Sequence, residues 1–241
     1  MGPSAAIAGR SQRAGWIAAT FYIAIVLALW TPFNLYSGMP YETGFVYTSE
    51  ISTWWNGFLF GADWSRIHTS TFFQVPYLLG ELTGFPGSWV PYQVVYAALW
   101  WARGLLLFLI VRRLLPGHDW FAYLTGALVL VHSSDLATGW VGQMPQPAYI
   151  FWMLAAFYLL LRGLDAISTP RARVEFAGAI LCEGMALWTY ESPIVLIVFA
   201  PLLLRWLRRE SVRKRRAWLA AWYAVPAIYL VFAALRYLRG S

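Results

Sequence analysis

Residues 89–111 read WVPYQVVYAALWWARGLLLFLIV, and Arg112-Arg113 follow at once. A helix needs ~20 apolar residues to cross the ~30 Å of bilayer hydrocarbon. This run has that length, and a single charge, Arg103, falls near its middle. Six further hydrophobic runs lie at about 15–35, 120–137, 147–162, 176–190, 193–207 and 217–236. The pattern predicts an all-α chain, a polytopic transmembrane helical bundle forming a single domain over residues 1–241. Arg10 and Arg13 ahead of the first run resemble a signal peptide. The run is too long for one and no small-x-small cleavage site follows it, so it is read as an uncleaved span.

The composition agrees. Of 241 residues, 60% are hydrophobic and 12% charged, about half the charge of an average soluble domain. A soluble protein of this size has too little interior to hide so much apolar surface, whereas a membrane protein need not hide it. Fifteen Trp and fourteen Tyr suit rings that settle at the membrane–water boundary. The net charge of +7 is confined to short clusters between hydrophobic runs, so no nucleic-acid partner is expected. Cys182 is the sole cysteine, which excludes an intramolecular disulfide and a cysteine metal site. His68, His118 and His132 are scattered, without HExxH-type spacing. Seventeen Arg to one Lys, with abundant Ala, Gly and Trp, is the composition of a bacterium with GC-rich DNA.

Orientation follows from the basic clusters. With Arg10 and Arg13 cytoplasmic, the cytoplasmic loops are 112–119 (Arg112, Arg113), 163–175 (Arg171, Arg173) and 205–216. The last has Arg205, Arg208, Arg209, Arg213, Lys214, Arg215 and Arg216 against Glu210. The outer loops 36–88, 138–146 and 190–192 hold one basic residue, Arg66. This is a strong positive-inside pattern, with the N-terminus cytoplasmic and the inner membrane as the location. Arg236 and Arg239 break it at the seventh run, just before Gly240-Ser241; the expectation is a chain with further spans missing.

The outer side is acidic: Glu42, Glu50, Asp63, Glu81, Asp135 and Glu191. Solvated loops obeying topology account for most of them. The long loop 36–88 is expected to carry interfacial helices. Ser49 is a helix cap ahead of Ile51, Trp54, Trp55, Phe58 and Leu59 at helical spacing, and Phe72–Leu79 is a second apolar piece, too short to span. Ordinary loop packing explains both segments equally.

Two charges fall inside runs, Arg103 and Glu183. A charge at mid-bilayer costs at least ~3 kcal/mol unless neutralised, so opposite signs at matching depth predict a structural Arg103–Glu183 pair. The turn Tyr190–Pro193 joins two runs of about 15 residues, each rising only ~22 Å. Its tip is therefore expected below the outer surface, with Glu191 on the floor of an outward cavity; a hydrogen-bonded helix-end role for Glu191 competes with this.

Four segments together resemble the N-terminal portion of a GT-C-type integral membrane glycosyltransferase, over about residues 15–207. They are Pro40-Tyr41-Glu42 after the first run, and Trp64-Ser65-Arg66 with Val75-Pro76-Tyr77-Leu78-Leu79. Val131-His132-Ser133-Ser134-Asp135 with Gly139-Trp140-Val141-Gly142-Gln143 comes next, and Leu187-Trp188-Thr189-Tyr190-Glu191-Ser192-Pro193 last. Many members have an acidic pair in the first loop, where this chain has Tyr41 before Glu42. The resemblance implies transfer of a sugar from a polyprenyl-phosphate donor at the extracytoplasmic face, with membrane lipid as the other partner. Such chemistry needs a base for the acceptor proton and a cation for the departing phosphate. By the resemblance, Glu42 is the catalytic base. Arg66 and His68 are the cations nearest it in sequence, and Glu50, Asp135 and Glu191 are secondary substrate-binding residues. A divalent metal between Glu42 and another carboxylate is compatible with the loop, but no residue pattern specifies a metal site or other cofactor. Two rivals stay open. A transporter should show polar residues through several spans and an internal repeat, and neither is evident. A non-catalytic scaffold or subunit with membrane-protein partners fits the short length and the abundant Trp.

Overall fold

A computed structural model describes residues 3–34, 79–80, 82–84, 90–132, 145–207, 211 and 216–238. Among these residues there are no strands, and seven helices occupy the seven apolar stretches. They are α1 (Pro3–Asn34), α2 (Val90–Leu114), α3 (Asp119–Val131), α4 (Pro145–Asp165), α5 (Thr169–Thr189), α6 (Ile194–Leu207) and α7 (Arg216–Leu238). Local chemistry sets several boundaries. Pro91, Pro145, Pro147 and Pro170 sit in first turns, where a missing N–H costs nothing. Arg112 and Arg113 close α2, opposite its negative dipole end. Gly117, with φ +90°, supplies the left-handed turn into α3.

α2, α4 and α7 are long and apolar enough to cross a membrane, and they point to a membrane protein. The surface agrees: Trp16, Phe21, Leu128, Phe199, Ile228 and Val231 are among many large apolar side chains left exposed, far beyond what a water-soluble monomer tolerates. Three stretches differ from the sequence-based bounds. α1 begins at Pro3 rather than at about 15, continuing through Arg10 and Arg13. α3 ends at Val131, with His132 extended, rather than running to 137. At 13 residues it rises only ~20 Å. α5 begins at Thr169 rather than 176, and its 21 residues rise ~31 Å. The polar first turns of α5 (Arg171, Arg173, Glu175) hide its true start from hydropathy.

α2 and α4 form the seam of the bundle. On one side, α1 and α3 pack on α2 around Tyr22, Tyr96, Trp100 and Phe108. On the other, α4 packs along the whole of α5, which packs on α7, around Leu160, Phe176, Leu187 and Trp222. Small residues let backbones approach, as in membrane bundles. A Cβ on Gly126 would meet the Tyr22 side chain and lie 2.7 Å from the Gly104 carbonyl.

Aromatic donors bind the helices through backbone carbonyls. Trp101 Nε1 donates to the Ala19 carbonyl (3.0 Å), Tyr123 Oη to Ala14 (2.8 Å), Tyr22 Oη to Tyr123 (2.9 Å) and Trp100 Nε1 to Leu130 (3.2 Å). Leu130 lies in the last turn of α3, where carbonyls lack helical partners. The same logic operates in α6. Pro201 has no N–H for the carbonyl of Ile197, and Trp222 Nε1 from α7 donates to that carbonyl at 3.0 Å.

This last pairing gives a test. Trp222→Phe keeps the ring and strands the Ile197 carbonyl, which costs about 1–3 kcal/mol. Adding Pro201→Ala restores a helical N–H and is expected to recover most of that loss in thermal unfolding of the detergent-solubilised protein. Equal destabilisation by Trp222→Phe in both backgrounds contradicts the assignment.

Candidate functional site

Charge divides the two ends of the bundle. The α2–α3 and α4–α5 connections lie at one end, tied by Arg112–Asp119 (3.0 Å), Arg113–Asp165 (2.9 Å), Arg162–Glu175 and Arg171–Glu175 (3.7 Å). Arg113 and Arg162 both lie 5.6 Å from the Tyr158 ring centre. The hydrogen bond from Tyr123 to Ala14 brings Arg13 of α1 to this end, and Arg205 and Arg216 close and open α6 and α7 there. This end is the arginine rim. Among the described residues, two charged residues belong to the opposite end, Glu191 in the α5–α6 turn and Arg236 in the last turn of α7.

From that opposite end a polar and aromatic column descends along α2. Tyr92, Tyr96, Leu99 and Arg103 recur at i, i+4, i+7 and i+11, one helical face, with Gln93 and Trp100 beside them. Tyr92, Gln93 and Tyr96 are fully or almost fully buried and Arg103 is 9% exposed; each makes at least one polar, ionic or ring interaction. The Tyr96 ring stacks on Trp100, with centroids 6.3 Å apart and 21° between planes. The guanidinium carbon of Arg103 stands 4.9 Å from the Trp100 ring centre. Trp100 is itself fixed by its bond to Leu130. A desolvated cation–π contact of this kind contributes about 2 kcal/mol, comparable to the cost of holding the charge at that depth.

The expected Arg103–Glu183 pair is not formed. Glu183 is fully buried and neither of its carboxylate oxygens has a hydrogen-bond partner. Depth was not the obstacle. Arg103 lies ten residues above Arg113 and Glu183 eight above Glu175, about 15 Å and about 12 Å from the rim. The obstacle is lateral, because α4 packs against both α2 and α5 and stands between them. Contacts of Gly163 with Phe176 and of Gly178 with Leu159 set the α4–α5 register and put Ala156 opposite Glu183.

Of the other sequence-predicted site residues, Glu42, Glu50, Arg66, His68 and Asp135 lie outside the described residues, as do both interfacial segments of the first loop. Glu191 is described. It is exposed in the turn between α5 and α6, where its carbonyl accepts from Ile194 N at 3.2 Å. The Tyr190 ring beside it stacks on Tyr149 of α4, 5.4 Å apart and 16° between planes. Tyr149 is four residues into α4, so the turn is recessed by about 6 Å from the start of that helix. That is a shallower recess than two 15-residue helices would give. Among the described residues, no group of three or more His, Cys, Asp or Glu could hold a metal ion.

The sequence reading missed the column of Tyr92, Gln93, Tyr96 and Trp100. Its signal was present: hydrogen-bonding side chains at helical spacing, confined to the first half of one apolar run. Compared with protein-family models, curated proteins and solved structures, the chain matches none of them.

A double-mutant cycle checks the corrected pairing. Arg103→Met and Glu183→Gln are expected to be additive in thermal stability to within about 0.5 kcal/mol, as for residues without shared partners. A coupling well above 1 kcal/mol restores the pair.

Proposed function

We propose that the chain is a polytopic, seven-helix membrane glycosyltransferase of GT-C-like architecture. It takes a sugar from a polyprenyl-phosphate donor at the end of the bundle opposite the arginine rim. In this reading the rim is cytoplasmic, in a bacterial inner membrane, and interfacial helices of the first loop roof the site. α5 spans despite its polar start, because it pairs with α4 from Tyr149–Tyr190 at one end to Arg162–Glu175 at the other. Glu42 takes the acceptor proton, and Arg66 with His68 neutralises the departing phosphate. The observation that carries the reading is the segregation of charge: with Arg236 and Arg239 as exceptions, basic connections gather at one end of the bundle, and the sequence assigns six carboxylates to the loops of the other. The column from Tyr92 to Arg103 supports it by offering phenol, amide and guanidinium groups, which suit sugar hydroxyls and phosphate oxygens.

A second reading is favoured by α7, of whose apolar window 17% is buried. So bare a helix suits a subunit seated on other helices in a larger membrane complex.

Sugar transfer from a radiolabelled polyprenyl-phosphate donor in reconstituted vesicles tests the proposal. Glu42→Gln is expected to lower turnover at least about 100-fold, the scale of a lost general base. Unchanged turnover removes Glu42 from the chemistry. A parent protein inactive with such donors returns the chain to the subunit reading.

A further inference from the structure

The arginine rim is not uniform. Around α2, α3 and the end of α4, arginines are matched: Arg112 with Asp119, Arg113 with Asp165, and Arg162 with Glu175. Around α5, α6 and α7 Arg171 shares Glu175 at 3.7 Å, and the other described arginines of the rim are unmatched. Arg173, Arg205 and Arg216 are all exposed, and among the described residues none forms an ion pair.

These three arginines share one level. The Phe176 ring stacks on Trp218, 5.2 Å apart; from there Arg173 is three residues and Arg216 two residues toward the rim. The bond from Trp222 to the Ile197 carbonyl fixes α6 against α7. Arg205 is eight residues and Arg216 six residues toward the rim from it, about 12 Å and about 9 Å, less than one turn apart. The surface around this level is apolar and open: Val174 is 72% exposed and Trp206 80%, with Leu207 exposed beside Trp206 and Leu202 and Leu203 exposed just inside.

We propose that this α5–α6–α7 corner binds the headgroups of anionic phospholipids. Guanidinium groups without carboxylate partners face the phosphates, Trp206 sits at the headgroup boundary, and the acyl chains lie along the exposed leucines. A free anion or a nucleic acid makes no use of the apolar half of this surface, which is why the occupant is a lipid. The matched arginines of the α2–α4 side are internally neutralised and make no comparable contribution.

The test uses the full chain in phosphatidylcholine bilayers containing a minority of phosphatidylglycerol. Spin-labelled phosphatidylglycerol and phosphatidylcholine report the motionally restricted fraction of each lipid. The expected result is a phosphatidylglycerol preference of about fivefold, the strength of attraction that one basic side chain adds near such a surface. Combined substitution Arg173→Gln, Arg205→Gln and Arg216→Gln should lower the preference to below about twofold, while Arg113→Gln leaves it intact. On the unsubstituted protein the preference should fall toward unity at about 1 M salt, where screening shortens to ~3 Å; this arm holds even where the triple variant does not fold. Equal restriction of both lipids, a preference kept by a folded triple variant, or one indifferent to salt overturns the proposal.

Discussion

Charge is expensive in hydrocarbon, and the arrangement of this bundle follows from where its charges can rest. Each basic connection lies at one end, and arginines there find carboxylates, aromatic rings or water. Arg103 cannot reach that end and lies on Trp100 instead. Trp100 in turn is held by the carbonyl of Leu130, so neutralising one interior charge also fixes the α2–α3 contact. That contact depends on Gly104 and Gly126 letting two backbones touch. Glu183 is the counter-example, a fully buried carboxyl whose oxygens have no hydrogen-bond partner. It shows that matched depth along the membrane normal does not bring two helices together.

Backbone groups obey the same constraint. Outside water, every carbonyl released by a proline or a helix end must find a donor within the protein. Tryptophan and tyrosine meet that need, carrying a donor at the edge of a large apolar ring. Trp222 on Ile197, Trp100 on Leu130 and Trp101 on Ala19 are three such cases. The richness in Trp, read from sequence as a membrane-interface signature, is thus partly spent inside the bundle.

Much of the architecture was legible in the sequence. Long runs such as 89–111 are bounded by charges and proline, and that helix falls within a few residues of the expected position, whereas α1 starts twelve residues before its run. α5 was less legible, because its first turns are polar and are covered by arginine–carboxylate pairs instead of lipid. α3 was over-extended: the polar run His132-Ser133-Ser134-Asp135 follows Val131 at once, and the helix stops there. Lateral order was not legible: no periodicity in 89–111 or 176–190 states that α4 stands between those helices. The column from Tyr92 to Trp100 was readable by spacing but was passed over, because its Tyr and Trp members taken singly resemble ordinary core aromatics. The acidic loop residues, Glu42 foremost, rest on sequence alone.

The two-ended bundle is the claim on which both functional proposals depend, and sidedness measures it most directly. In a Cys182→Ala background, single cysteines at Ser168 and Ser192 mark the two ends of α5. Both positions are exposed. With a membrane-impermeant maleimide applied to sealed, right-side-out membranes, the account predicts that Ser192→Cys labels at once and that Ser168→Cys labels only after permeabilisation. Labelling of both from the same side of an intact membrane would contradict it.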